Sequence, residues 1–282
     1  MNLICMKKHI LDLRVTQSER VGASCVLLRA RLPEARMPQV APGQFAQLRI
    51  DGVPQLLLRR PISIHDVDYE KNEVSFLVQE VGEGTRWLTQ LKVGDALNVV
   101  MPLGHGFTTD IEPGHRVLLI GGGVGVAPLL YLGKVLKSKG CQPIFLLGGR
   151  TANLILRLDA FRQVGEVHVT TEDGSLGEKG FVTQHSILRS AAVGIQGSAS
   201  DERERRPAIS RICTCGPRPM MMAVARFARE HHIPCEISLE NRMACGVGAC
   251  LCCVENTTEG HKCVCTEGPV FDANLIIEEL KN

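Results

Sequence analysis

The sequence predicts a β barrel followed by an α/β domain, with a small cysteine-rich segment at the C-terminal end. Three observations predict it. Short alternating strands run to about Asp110 with almost no helix between them; from Gly114 buried strands alternate with apolar helices; and six of the twelve cysteines fall between Met243 and Cys265. The divisions this implies are residues 1–110, 111–235 and 236–282.

In the first part, "HILDLRVTQ", "ASCVLLRARL", "GQFAQLRI", "EVSFLVQEV" and "DALNVVMPL" mix period-two alternation with β-branched runs. Turn sequences such as "APGQ", "RIDG", "KVGD" and "PLGHG" separate them. Several strands of even length joined by turns favour a closed antiparallel barrel, which leaves no exposed sheet edge. One helix interrupts, at "GTRWLTQL".

In the second part, "HRVLLIGGGVGVAPLLYLGKVLKSKG" reads as a buried strand, a glycine turn and an apolar helix, and "QPIFLLGGR" as the next buried strand. "EVHVTTEDG", "RICTCGPRPMMMAVARFAREHH" and "PCEISLE" continue the alternation. Right-handed βαβ units of this kind build a doubly wound parallel sheet. Between them, residues 191–210 are small or of mixed charge, which suits a surface loop.

Composition narrows the function classes. Hydrophobic residues make up 44% and charged ones 22%, ordinary for a globular chain with a core. Lys and Arg total 32 against 30 acidic residues, and a net charge of +2 gives no general field for nucleic acid or an anionic membrane surface. Neither a signal peptide nor a run of about eighteen apolar residues is present. A cytoplasmic location is therefore expected, and with it reduced thiols, so that clustered cysteines point to metal or redox chemistry over disulfides.

Three motifs carry chemistry. In "GGGVGVAP", Gly121, Gly122, Gly123 and Gly125 follow a strand and precede a helix, where glycines admit positive φ and let backbone N–H groups approach a pyrophosphate. The spacing is not that of the ordinary dinucleotide fingerprint, since Pro128 stands where a third glycine is expected. Arg60 in "RRPISI" has the planar fork that suits a phosphate, and "VGEGT", with Gly82, Gly84 and Thr85, precedes the helix and offers backbone donors to the same group. Finally, Cys245, Cys250 and Cys253 have the C-x4-C-x2-C spacing of a plant-type 2Fe-2S cluster, with Cys263 and Cys265 as candidates for the fourth thiolate. A zinc site using the inner C-x2-C and the later pair is the rival.

"GGGVGVAPLL" followed by "CTCGPRPMM" resembles the ferredoxin-reductase superfamily. That resemblance implies a nicotinamide nucleotide between the glycine turn and Cys215, Gly216 and Pro217. It also implies FAD on the barrel, with Arg60, Pro61, Ile62 and Ser63 in the R-x-x-S/T place and Leu77, Val78 and Gln79 along the flavin. Arg150 and "TTEDGSLG" fall where the superfamily contacts the adenosine half or closes the site. Ile62 departs from the Tyr that many members carry, and the stacking aromatic at their end is missing.

"ENRMACGVGACLCCV" with "CVCTEGPVF" narrows the likeness: the chain resembles the electron-transfer subunits of type B dihydroorotate dehydrogenase over nearly its whole length. This implies Cys245, Cys250, Cys253 and Cys265 as cluster ligands, leaving Cys252 and Cys263 outside the set. The implied role is to pass electrons from the FMN of a catalytic partner through the cluster and FAD to NAD+ in pyrimidine biosynthesis, in a heterotetramer of two of each subunit. No residue of this chain then acts on dihydroorotate. NAD is favoured by the resemblance, although Arg150 is of a type that meets a 2′-phosphate. Two other readings stay open at this point: a subunit of a sulfide dehydrogenase or NADPH-ferredoxin transhydrogenase, and a non-enzymatic redox sensor.

Overall fold

A computed structural model describes residues 7–189 and 209–277. Six antiparallel strands close the barrel in the order β1 (His9–Gly22), β2 (Cys25–Arg31), β5 (Glu73–Gln79), β4 (Arg60–Asp68), β3 (Phe45–Leu48) and β6 (Ala96–Leu103). Alternation along the strands sorts side chains between two environments. On β5, Val74, Phe76 and Val78 fill the barrel, while Leu77 points outward into the apolar layer of the second domain. On β3, Ala46 and Leu48 face inward. The single helix of this half, α1 (Glu83–Thr89), lies between β5 and β6 where the sequence places it.

The second sheet has seven strands in the order β10 (Glu178–Lys179), β9 (Glu166–Thr171), β8 (Gln142–Gly149), β7 (Arg116–Gly122), β11 (Ile209–Cys215), β12 (Cys235–Ser238) and β15 (Val270–Asp272). All pairs are parallel except β12 with β15. Every residue of β7 is buried because both faces are covered. Val117 and Leu119 pack with Leu129, Leu132 and Leu136 of α2 (Ala127–Ser138) and with Phe161 of α3 (Leu158–Val164). Leu118 and Ile120 pack on the other side with Met221, Val224 and Ala225 of α4 (Arg218–Glu230). This is the doubly wound arrangement that the βαβ pattern predicts. Most of the loop expected at 191–210 lies outside the described residues; Ile209 and Ser210 open β11.

The cysteine-rich segment is an excursion between two neighbouring strands of that sheet. The chain leaves β12, makes the cysteine loop and the hairpin of β13 (Val254–Thr257) and β14 (Gly260–Cys263), and returns as β15 against β12. The division expected between residues 235 and 236 thus falls inside β12. Arg218 at the start of α4 holds the hairpin through Glu255 at 2.7 Å.

Polar contacts join barrel and α/β domain. Thr108 donates its hydroxyl to Glu236 at 2.6 Å, and Tyr131 of α2 donates to the Val40 carbonyl at 3.1 Å. His65 of β4 is 1% exposed and lies 2.8 Å from the Ala127 carbonyl at the start of α2. A carbonyl can only accept, so Nδ1 carries the proton and the ring is the neutral Nδ1–H tautomer. Among the described residues no helix is long and apolar enough to cross a membrane.

Candidate functional site

On the barrel, β4 begins at Arg60 and pairs with β3 so that Pro61 stands opposite Gln47, Ile62 opposite Ala46 and Ser63 opposite Phe45. Ile62 turns toward the barrel interior, leaving Pro61 and Ser63 on the outer face. The Arg60 guanidinium lies against Gly84: a Cβ on that glycine would fall 2.3 Å from Nε and 2.7 Å from Cζ. Only glycine allows this approach, and it brings the cation to the N-terminal turn of α1, where backbone N–H groups lack helical acceptors. The neighbouring Arg59 donates to the Asn98 side chain at 2.6 Å, while Nη1 of Arg60 donates to the Leu58 carbonyl. The Arg60/Gly84 cradle therefore fits a pyrophosphate such as that of FAD.

The Thr85 side chain is engaged within the turn itself. Its hydroxyl accepts from the Val81 and Gly82 N–H groups at 2.9 and 3.1 Å and donates to the Gly82 carbonyl at 3.0 Å. With that hydroxyl engaged, Thr85 shapes the turn, and any donor it offers a phosphate is its backbone N–H. On β5, Leu77 is spent in the interdomain apolar layer and Val78 in the barrel, while Gln79 reaches the neighbouring cleft.

That cleft, of about 670 Å³, opens at the carboxyl ends of the parallel strands, in the size range of small-molecule sites. Its floor is made by two glycine turns packed on each other. A Cβ on Gly125 would fall 2.4 Å from the Gly216 Cα, and one on Gly216 would meet the Gly122 backbone at 3.0 Å. A Cβ on Gly121 would strike Val126 of the following turn at 2.8 Å. Gly123 differs: its φ is +57° and the space beside it is open, so it bares backbone to the cleft. Pro217 lines the same wall, with Arg150, Thr170 and Glu172 on the opposite side. These residues fit a dinucleotide: bare backbone at the turn and a cation in reach.

Cys215 is not on the cleft surface. It is 1% exposed at the end of β11, and burial raises its thiol pKa. It is a packed thiol. Glu240, which sequence reasoning missed, does line the cleft. It keeps part of its surface in contact with solvent there, yet desolvation by the surrounding protein raises its carboxyl pKa. The available signal was its position just past the carboxyl end of β12, where ligands of open α/β sheets bind.

In the cysteine loop, Gly246 and Gly248 take φ of +71° and +86°, which closes the loop tightly and turns its N–H groups inward. Val247 donates to Cys245 Sγ at 3.4 Å, Gly248 to Cys265 Sγ at 3.2 Å and the Cys265 N–H to Cys253 Sγ at 3.4 Å. The Val247 N–H in particular pulls the Cys245 thiol down to about 6. Burial, then the neighbouring Cys253, pushes Cys265 up. Backbone N–H groups thus reach the sulfurs of Cys245, Cys253 and Cys265, and Cys250 neighbours Cys245 in the same loop. Among the described residues no three His, Cys, Asp or Glu side chains converge as one ion would require. The C-x4-C-x2-C spacing and the N–H donors on the sulfurs fit the donor set of a 2Fe-2S cluster. Cys253 and Cys265 are buried, whereas Cys250, Leu251 and Cys252 are exposed at the tip. The Cys263 N–H donates to Glu267 at 2.7 Å.

Comparison with known proteins gives three findings. Residues 240–277 match the model of the iron-sulfur cluster binding domain of dihydroorotate dehydrogenase B, and residues 12–107 that of the oxidoreductase FAD-binding domain. The chain is similar to proteins named dihydroorotate dehydrogenase B (NAD(+)), electron transfer subunit. With the protein from Bacillus velezensis it shares 41% identity, covering 83% of this chain and 86% of the relative, and with that from Lysinibacillus sphaericus 35%, covering 94% and 97%. Among solved structures, one described as an NADH-dependent reduced ferredoxin-NADP oxidoreductase superposes with a TM-score of 0.79 at 29% identity, covering 94% of this chain and 89% of that one. A ferredoxin reductase of carbazole 1,9a-dioxygenase shares the fold at a TM-score of 0.63 and 21% identity.

Proposed function

This chain belongs to the family of dihydroorotate dehydrogenase B electron transfer subunits, and from that membership we propose that it carries electrons between a dihydroorotate-oxidising partner subunit and NAD+ in pyrimidine biosynthesis. The observation that carries the proposal is the glycine-turned loop whose N–H groups point at the sulfurs of Cys245, Cys253 and Cys265, in the segment that matches the iron-sulfur model of this family. The near relationship in fold to an NADH-dependent ferredoxin-NADP oxidoreductase fits a common electron-transfer plan; the family identity at 35–41% favours the dihydroorotate partner.

When bound, NAD, FAD and the 2Fe-2S cluster supply the exchange between two-electron and one-electron transfer. The chain's own groups bind and orient them. Arg60 and the N-terminal turn of α1, approaching through Gly84, hold the FAD pyrophosphate, with Pro61 and Ser63 on the outer barrel face toward the ring. Gly123 presents backbone to the nicotinamide nucleotide, and Gly125 and Gly216 set the depth of its floor. Cys245, Cys250, Cys253 and Cys265 ligate the cluster as thiolates, so its assembly releases protons from the sulfurs. Arg150, on the cleft wall, meets the adenosine half of the dinucleotide in this reading.

The partner in this reading holds FMN and assembles with the chain as two of each. The exposed tip at Cys250, Leu251 and Cys252 supports an interface there, since Leu251 is 64% exposed beside the cluster ligands. A reducing, cytoplasmic setting accords with cysteines that are all free among the described residues. Reconstitution tests the assignment. The chain mixed with a dihydroorotate-oxidising FMN subunit is expected to form a complex that reduces NAD+ with dihydroorotate, and a chain that neither binds that subunit nor produces NADH contradicts it.

A further inference from the structure

Gln47 is 0% exposed, yet neither its Nε2 nor its Oε1 has a hydrogen-bond partner. A buried primary amide with both ends unmet costs on the order of a few kcal/mol, and an apolar side chain of the same shape would avoid that cost. The position of the side chain suggests what offsets it. On β3, Ala46 and Leu48 fill the barrel, so Phe45 and Gln47 face outward. Phe45 packs in the cluster that contains Cys253, Val264 and Cys265. Gln47 meets the cysteine loop itself: a Cβ on Gly246 would fall 2.7 Å from both its Cγ and its Nε2. Its cross-strand partner is Pro61, in the segment read as flavin-binding. The unmet amide thus stands between the strand pair that carries the flavin site and the residue next to Cys245.

We propose that Gln47 is a hydrogen-bond donor from the barrel to the iron-sulfur site, its carboxamide N–H directed at the sulfur side of the loop and raising the reduction potential of the cluster held there. This rests on the reading that the loop holds a 2Fe-2S cluster. The chemistry selects the donor end of the amide. Four thiolates and two sulfides leave such a cluster anionic, and reduction adds one further negative charge, so an N–H donor stabilises the reduced form more than the oxidised one. The donors already seen on the sulfurs, from Val247, Gly248 and Cys265, all belong to the cysteine segment. Gln47 alone would come from the barrel, and would make the cluster potential sensitive to the seating of the loop on the flavin domain.

The test is a redox titration of the full-length chain, loaded with FAD and cluster, in which cluster reduction is followed by electron paramagnetic resonance and flavin reduction by absorbance. In Gln47→Leu the ratio of reduced to oxidised cluster at a fixed potential is expected to fall about tenfold, equivalent to about 59 mV for a one-electron couple, with the flavin couple unmoved. Gln47→Met, which keeps the chain length, should shift the cluster the same way. Gln47→Glu, an acceptor in the same place, should shift it further. An unmoved cluster potential in Leu or Met variants that retain iron overturns the role of Gln47, as does an equal shift of cluster and flavin. A wild-type chain that takes up no iron and sulfide sinks the underlying reading of the loop as well, and is told apart by the metal content alone.

Discussion

At the scale of single residues, the cysteines discriminate best. Cys263 and Cys265 are two positions apart, and spacing alone admits either as fourth ligand. Folding separates them, because Cys265 receives the Gly248 N–H on its sulfur and pairs with Cys253, while Cys263 ends β14 with its N–H tied to Glu267. Cys265→Ser is therefore expected to reduce iron content from about two per chain to near zero, and Cys263→Ser to leave it unchanged, as read by iron analysis after anaerobic preparation. The opposite pattern would move the ligand. Other residues were only partly legible. Arg60 could be proposed as a phosphate-binding cation from "RRPISI", but not that Arg59 beside it is held within the barrel by Asn98. Thr85 was legible as a turn residue, yet the three hydrogen bonds that occupy its hydroxyl depend on how the turn closes. Gln47 carries no sequence signal, because its unmet amide arises from two segments some two hundred positions apart.

At the scale of elements, patterns of two and of three to four residues foretold the barrel strands and the βαβ units, because each depends on local alternation and on turns. The antiparallel β15 was not foreseen. Val270–Asp272 is three residues long, too short for periodicity to register, and it becomes a strand only because β12 offers an edge. The junction between β4 and α2 was likewise hidden, and it makes a pH prediction. Burial lowers the pKa of His65 from 6.5 to about 4, so the unfolded chain binds its proton at a higher pH than the folded chain does. The contribution of neutral His65 is complete above about pH 6.5 and is lost as the pH falls toward 4. By pH 5 the loss is about 2 kcal/mol. Denaturant unfolding at pH 7 and pH 5 checks this: the wild-type should lose about that much more stability than His65→Gln over the interval. Equal losses would mean that His65 titrates like an exposed imidazole.

At the scale of the whole molecule, the arrangement is economical in chain. One sheet carries the cleft proposed for the dinucleotide at the carboxyl ends of its strands, and the cysteine loop is tethered at both ends to the same sheet through β12 and β15. The outer face of β3 meets that loop through Phe45 and Gln47, so the packing of the barrel brings the proposed flavin cradle and the cysteine loop together. The central claim is that nicotinamide, flavin and iron-sulfur places belong to one polypeptide. The most direct test is a quantitative analysis of iron, acid-labile sulfide, zinc and FAD in anaerobically purified chain. Iron and sulfide in equal amounts, each about two per FAD, are predicted. Flavin without sulfide, or zinc in place of iron, would contradict the account.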